Sequence, residues 1–291
     1  MFGANPRLGC GGLMLAFEAS GDRQESPART PAPMRRLLIT GTSHVAALRA
    51  AWDNLPQQPH GLEVAFLAAN ATEFPFFTLN AAGVFGLHDE SQRSAGQVKL
   101  ARDFSGLLLR RIADFSHVLI VGHNFRQSSV MRMLQAYRVD GLRETVAPLP
   151  RLSQQAYSAF SLALALLECP ERLISDLAPL CKLGVVPAPR RSEAILTDAT
   201  AKPWFGLIAS DPSGIRAALN LTDIVVAQAC AERGATFFAP PESCLTPAGF
   251  TMPEYSRGYV RLSGTTEVDH THMNADYGAI RLRAIVDWAL A

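Results

Sequence analysis

The stretch "RLLITGTSHVAALRAAWD", residues 36–53, joins a short apolar run to a segment with helical periodicity. The run 36–40 is typical of a strand that is buried on both faces. Apolar residues then recur at helical spacing until a proline ends the pattern: Val45, Leu48, Trp52, Leu55 and Pro56. The stretch therefore predicts a strand and a helix, with the small polar residues 41–44 in the turn between them.

The same alternation continues along the chain. Apolar runs predict strands over 62–69, 116–122, 182–189 and 235–241, and helical patterns cover 153–168, 219–233 and 275–290. Strands that alternate with helices in this way favour a mostly parallel sheet covered by helices on both sides. Sites in such sheets lie outside the carboxyl ends of the strands, so functional residues are expected directly after the strands.

Composition favours an ordinary globular domain. The chain has 291 residues, of which 48% are hydrophobic and 18% are charged, enough to bury a substantial core. A formal net charge of +1 gives no reason to expect binding to nucleic acid or to an anionic membrane surface. No apolar run reaches the roughly 18 residues that a membrane span requires.

Cysteine usage and the first residues bear on localisation. The cysteines are odd in number and lack metal-type spacing, which favours free thiols in a reducing compartment: Cys10, Cys169, Cys181, Cys230 and Cys244. The apolar patch 9–17 has only Arg7 before it, a poor match to a secretory signal. We therefore expect a cytoplasmic protein, with export as the alternative.

Residues 1–33 differ in composition from the rest. Proline, serine, glycine and charged residues dominate 18–33, so this segment has little apolar surface to bury. We predict a disordered tail, or an artefact of an upstream start codon, over 1–33, followed by one domain over 34–291.

The turn after the first strand has two interpretations. Ser43 precedes a predicted helix, where serine commonly caps the free backbone amides. Alternatively, Ser43 is a nucleophile, because it would lie at a strand end beside the amide end of a helix.

A carboxylate and a histidine precede the last predicted helix. Asp269 and His272 are three residues apart. At that spacing a carboxylate in a turn is able to accept the Nδ1–H of the imidazole, which orients the ring and leaves Nε2 as a base. This is half of a serine-hydrolase triad, and Ser43 is the leading candidate for the other half.

A third polar group follows a central strand. In "VLIVGHNF", residues 118–125, Asn124 comes directly after the apolar run. A side-chain amide there could donate to a developing oxyanion, a role worth about 3 to 4 kcal/mol for comparable donors. The alternative is that Asn124 only forms a turn or caps a helix.

These motifs resemble the SGNH (GDSL-like) esterase and lipase superfamily in order and approximate spacing over residues 34–291. The blocks are an early Gly-x-Ser, a Gly-x-Asn in mid-chain and a terminal Asp-x-x-His. The resemblance implies a flavodoxin-like three-layer α/β/α fold and cofactor-free hydrolysis of a carboxylic ester. It implies that Ser43 is the nucleophile and a backbone oxyanion donor, Asn124 the side-chain donor, and His272 and Asp269 the base and its orienting carboxylate.

The chain departs from the pattern of that family at two blocks. The usual Gly-Asp-Ser is "GTS" at 41–43, and the usual Gly-x-Asn-Asp is "GHNF" at 122–125. The glycine whose N–H completes the oxyanion hole is either Gly83 or Gly86, and we favour Gly83. The ending "DHTHMNADYG", 269–278, resembles members associated with surface polysaccharides, so O-acetyl groups on a carbohydrate are a possible substrate.

Alternative functions stay open at this stage. The same triad would serve an acyltransferase that passes the acyl group to a sugar hydroxyl instead of water. His270 and His272 form a His-x-His pair that, with His44 or His123, could bind zinc or iron. A catalytically inactive domain is the remaining alternative.

Overall fold

A computed structural model describes residues 34–91, 93–123, 127–142, 149–168, 171–198, 211–263 and 269–291. The tail predicted over 1–33 lies outside the described residues. The strands are β1 (Arg35–Gly41), β2 (Leu62–Ala68), β3 (Thr78–Leu79), β4 (Val84–Gly86), β5 (Leu109–Arg111), β6 (His117–His123), β7 (Arg138–Val139), β8 (Arg151–Leu152), β9 (Lys182–Pro187) and β10 (Ala235–Phe237). The helices are α1 (Val45–Asp53), α2 (Ala95–Ser105), α3 (Gln127–Ala136), α4 (Gln154–Glu168), α5 (Glu171–Leu177), α6 (Pro212–Glu232) and α7 (Ala275–Leu290).

A five-stranded sheet with the order β10-β9-β6-β1-β2 forms the centre of the fold. Every neighbouring pair in it is parallel. If only these five strands are numbered, in chain order, their order across the sheet is 2-1-3-4-5, which is the order of flavodoxin-like folds. The strand order reverses between β1 and β6, and this reversal is the topological switch point. A crevice for a ligand is therefore expected where β1 and β6 end.

Helices cover both faces of this sheet because successive side chains on each strand point to opposite sides. On β1, Leu37 and Ile39 pack with residues of α1 and α7, whereas Leu38 packs with residues of α2, α5 and α6. The fold is thus a three-layer α/β/α arrangement around a mostly parallel sheet, which confirms the predicted fold class.

Smaller elements lie beside the main sheet. Strands β3, β4 and β5 form an antiparallel sheet, and β7 and β8 form a parallel pair. A separate cluster of buried side chains joins α3, α4 and the first half of α6: among others Met133, Leu134, Tyr157, Ile215, Ala218 and Leu219. The sequence patterns did not predict the short strands β3, β4 and β5 or the helix α2, and α6 begins seven residues before the predicted start at 219.

No helix within the described ranges is long and apolar enough to cross a membrane.

Candidate active site

Ser43 lies in the turn between β1 and α1, at the carboxyl edge of the sheet. Its Oγ is 2.6 Å from Nε2 of His272, which is 229 residues away along the chain. The N-cap residue of α1 is His44, and no side chain caps the helix. The Ser43 side chain is therefore directed at an imidazole and does not cap α1.

Two glycines shape this turn. A Cβ on Gly41, which has φ +151°, would lie 2.0 Å from the carbonyl oxygen of Val121 in β6. A Cβ on Gly122, which has φ +87°, would lie 2.0 Å from Oγ1 of Thr42. Only glycine fits such positions without moving the backbone. The ends of β1 and β6 consequently approach each other closely. The turn that carries Ser43 begins at this contact.

The imidazole of His272 bridges the serine and a carboxylate. Its Nδ1 is 2.5 Å from Oδ2 of Asp269, and its Nε2 faces Ser43. Asp269 and His272 lie just before α7, whose N-cap Asn274 accepts the amide N–H of Tyr277. The capped helix fixes the end of the short segment that carries both side chains. The structure therefore brings Ser43, His272 and Asp269 together in one hydrogen-bonded chain.

Asp269 is held as a carboxylate by several donors. Its side chain is only 6% exposed and forms an ion pair with Arg261. Its Oδ1 accepts hydrogen bonds from the backbone N–H and the hydroxyl of Thr271. Burial alone would raise the pKa of Asp269, but the hydrogen bonds from His272, Thr271 and Arg261 outweigh it and hold this pKa well below its usual range. A permanent negative charge therefore lies beside Nδ1 of His272.

A second histidine stacks on the first. The rings of His44 and His272 have centroids 4.7 Å apart and planes inclined by 22°. Burial, reinforced by the charge of His272, lowers the pKa of His44 to about 3. His44 is consequently neutral near pH 7, and its uncharged ring stacks on the ring of His272.

The structure describes two of the three residues that were predicted as oxyanion donors. Asn124 lies outside the described residues, directly after β6 (His117–His123). The N–H of Gly83 donates to the carbonyl of Asn80 at 3.0 Å, within the turn between β3 and β4. This bond does not favour Gly83 as an oxyanion donor, and the choice between Gly83 and Gly86 stays a prediction. Gly86 lies in the same hairpin as a residue of β4.

A different loop reaches the turn of Ser43. Directly after β2, the N–H of Ala69 donates to the carbonyl of Gly41 at 3.1 Å. The next amide, that of Asn70, has no acceptor within the described part of the chain, and the same is true of the N–H of Ser43. Free amides are what an oxyanion requires.

The neighbouring His270 has a different partner. Its Nε2 lies 2.7 Å from Oδ2 of Asp198, whereas Nε2 of His272 faces Ser43. Across the ranges given above, no group of three His, Cys, Asp or Glu side chains is arranged to hold a metal ion. The His-x-His pair therefore does not converge on one point.

Sequence reasoning missed two residues of this site. Arg261 pairs with Asp269 from eight residues upstream, in a loop with no periodic pattern, so nothing in the spacing pointed to it. His44 was considered only as a metal ligand. Its position directly after Ser43, at the start of α1, was the signal that the sequence offered.

Comparison with known proteins finds only distant structural similarity. No family model and no curated protein matches the chain. One similar solved structure is the periplasmic domain of a lipopolysaccharide acetyltransferase from Salmonella ser. Paratyphi A, with 12% sequence identity and a TM-score of 0.43 over 90% of this chain and 85% of that one.

Proposed function

We propose that this protein hydrolyses a carboxylic ester with Ser43 as nucleophile, His272 as general base and Asp269 as its orienting carboxylate. One observation carries the proposal: the continuous hydrogen-bonded chain from Ser43 Oγ through His272 to Asp269, with distances of 2.6 Å and 2.5 Å. Serine, histidine and carboxylate in this order are the parts of a serine-hydrolase triad.

In the first half of the reaction, Ser43 Oγ attacks the ester carbonyl while Nε2 of His272 takes the hydroxyl proton. The charge of Asp269 stabilises the imidazolium that forms, and the fixed Nδ1–H keeps Nε2 directed at the serine. The imidazolium then protonates the leaving alcohol, which departs and leaves an acyl-serine.

In the second half, water attacks the acyl-serine and gives its proton to Nε2. The tetrahedral intermediate collapses, the carboxylic acid leaves, and Ser43 recovers its proton. Every proton transfer uses one imidazole, so the side chains of the chain supply the chemistry without a cofactor.

The oxyanion of both intermediates needs donors near Ser43. We assign this role to the N–H of Ser43 and to the side chain of Asn124. The N–H of Asn70 takes the place that the sequence had suggested for Gly83, because it is free and follows the residue bonded to Gly41. Each such donor is worth about 3 kcal/mol in a transition state.

We propose O-acetyl groups on a carbohydrate as the substrate class, in keeping with the sequence of the final block. A sugar hydroxyl would resolve the same acyl-serine by the same steps, so an acceptor test belongs with the activity test. Acetylated sugars are incubated with and without an excess of unacetylated sugar, and free acetate is measured against acetylated acceptor. Acetate as the main product in both cases supports hydrolysis, whereas transfer to the acceptor assigns the protein as an acyltransferase.

The nucleophile is tested by labelling the full chain with a fluorophosphonate probe. Labelling is expected for the wild type and for the control Ser158→Ala, which removes an exposed hydroxyl of α4. It should be lost in Ser43→Ala and strongly reduced in His272→Ala. Undiminished labelling of a folded Ser43→Ala variant would exclude the proposed mechanism.

A further inference from the structure

One oxygen of Asp269 accepts from two side chains at once. Its Oδ2 lies 2.5 Å from Nδ1 of His272 and 3.0 Å from Nε of Arg261, and Nη2 of Arg261 donates to the same atom. The other oxygen, Oδ1, accepts the backbone N–H and the hydroxyl of Thr271. The guanidinium and the imidazole therefore meet at a single carboxylate oxygen.

This arrangement differs from an ordinary arginine–carboxylate pair. At Arg36, Nε and Nη2 donate to the two different oxygens of Glu63 at 3.0 Å and 3.1 Å, which is the usual parallel geometry. That pair is well exposed, whereas the side chain of Asp269 is only 6% exposed and that of Arg261 is 25% exposed. Water and salt screen partly buried charges less, so the charge of Arg261 acts more strongly on its neighbours.

The loop that carries Arg261 also contacts the segment that carries His272. The N–H of Val260 donates to the carbonyl of Met273 at 3.2 Å. The ring centroids of Tyr259 and His272 are 6.4 Å apart, and the guanidinium carbon of Arg261 lies 5.3 Å from the centroid of the Tyr259 ring. Three consecutive residues of the loop thus take part in these contacts, so the position of Arg261 is supported by more than its ion pair.

The shared oxygen couples the charge of Arg261 to the protonation of His272. In the proposed reaction the imidazole becomes positively charged, and the negative charge of Asp269 stabilises it. The guanidinium on the same oxygen is a like charge and opposes this protonation. Arg261 therefore offsets part of the stabilisation that the carboxylate gives to the imidazolium, and the ring releases its proton more readily.

Other titratable groups face the imidazole of the proposed base. The ring of His44, at the start of α1, stacks on it and is neutral near pH 7. Arg191, which follows β9, is within electrostatic reach of Asp269, and Tyr259 contributes a phenol from the loop. Arg261 is hydrogen-bonded to the very oxygen that the imidazole uses, so its charge acts at short range.

We propose that Arg261 is a positioning residue for the proposed hydrolysis: it holds Asp269 against His272 and limits the base strength of the imidazole, so that the site becomes active at a lower pH. The inference rests on the proposed function, because the imidazole acts as a base only if Ser43 is the nucleophile. Its electrostatic part is measurable on the folded protein without a substrate.

An NMR titration of the histidine ring protons tests this part in the full chain. Arg261→Met should raise the pH midpoint of the His272 signal by about one pH unit, because a like charge beside the carboxylate is lost. Arg261→Lys keeps the charge and should stay close to the wild-type midpoint. Arg36→Met removes the same charge from an exposed pair near the start of β1, so this control should leave the midpoint unchanged. His272→Gln identifies the signal by its absence.

The pH profile of kcat/KM for p-nitrophenyl acetate is the second test. In Arg261→Met the acidic limb should move to higher pH by the same amount as the NMR midpoint, because this limb reports the base of the free enzyme. Above the limb, kcat should fall roughly tenfold or more with little change in KM, since a less firmly held carboxylate orients the imidazole less well. Arg261→Lys should recover part of kcat.

The two tests separate this inference from the proposed function. A wild type without hydrolysis that depends on Ser43 would contradict the proposed function, and the NMR midpoints would still decide whether Arg261 acts on the imidazole. Equal midpoints in the wild type and in an Arg261→Met variant whose Tm shows that it folds would overturn the inference. So would a midpoint in Arg261→Lys as high as that in Arg261→Met, because the charge would then have no effect of its own.

Discussion

The imidazole of His44 lies face to face with the imidazole of His272, with centroids 4.7 Å apart. Of the two rings, His272 contacts Ser43 and Asp269, whereas Nδ1 of His44 is buried with no partner among the described residues. Two adjacent imidazolium rings would repel each other. The fold thus places His44, whose ring resists protonation, beside His272, whose ring accepts a proton in the proposed reaction.

This relationship predicts how stability depends on pH. The unfolded chain protonates His44 near pH 6.5, but the folded protein does so only near pH 3. The free energy of unfolding therefore reaches its full value above about pH 6.5 and falls as the pH decreases toward 3, by up to about 1.4 kcal/mol per pH unit from this residue. His44→Phe keeps an aromatic ring and removes the titration.

Urea unfolding of the wild type and of His44→Phe at pH 7, 6 and 5 measures the effect. The difference between the two proteins should shift in favour of the variant as the pH falls. His60→Phe, which replaces an exposed histidine, is the control for the same chemical change outside the site. Parallel curves for His44→Phe would contradict the prediction.

The oxyanion donors give a kinetic prediction. Asn124→Ala should lower kcat by roughly 10²- to 10³-fold with little change in KM, because an oxyanion contact is made mainly in the transition state. Steady-state kinetics on p-nitrophenyl acetate, with a Tm to show that the variant folds, checks it. A folded variant with nearly unchanged kcat would remove Asn124 from the mechanism.

The two histidines of the final block should behave differently. His272→Ala is expected to cost about as much activity as Ser43→Ala, since members of a triad fail as a unit. His270 is paired with Asp198, so His270→Ala should reduce activity by less than about tenfold. Activity of the three variants is measured with and without EDTA. Equal losses at His270 and His272 together with sensitivity to EDTA would favour a metal mechanism.

The close contact of β1 and β6 predicts a large effect of a single methyl group. In Gly41→Ala the new Cβ would overlap the carbonyl of Val121, so we expect a loss of about 3 kcal/mol or more and displacement of Ser43. Gly61→Ala is the matched control, because Gly61 also has a positive φ, +83°, but nothing lies within 4 Å of its Cβ position. Its cost should be about 1 kcal/mol.

Urea unfolding and ester hydrolysis of both variants check this expectation. Similar stability losses at Gly41 and Gly61 would show that backbone conformation alone, and not the contact with β6, requires glycine at the site.

The central strands could be predicted because they are buried on both faces. The runs 36–40 and 116–122 have the uninterrupted apolar centres 37–39 and 118–121, so their burial follows from composition, and the structure has β1 and β6 there. The hairpin of β3 and β4 could not be predicted in the same way. Its strands are two and three residues long, too short for a periodic pattern.

The residues of the candidate site also divide into those placed by local sequence and those placed by tertiary contacts. Asp269 and His272 are close in sequence, so a four-residue motif was enough to predict their contact. The choice between Gly83 and Gly86 depended on how a loop folds back on the sheet, which is a tertiary contact. The free amide of Asn70 carries no sequence signal of its own.

The hydrogen-bonded chain of Ser43, His272 and Asp269 joins residues from opposite ends of the described sequence. Ser43 follows the first strand, and His272 comes 229 residues later, directly before the last helix. In a growing polypeptide that emerges from the ribosome, the serine is therefore present long before the histidine that it contacts in the folded protein. Ser43 therefore meets the imidazole of His272 only after α7 has been made and has packed against α1.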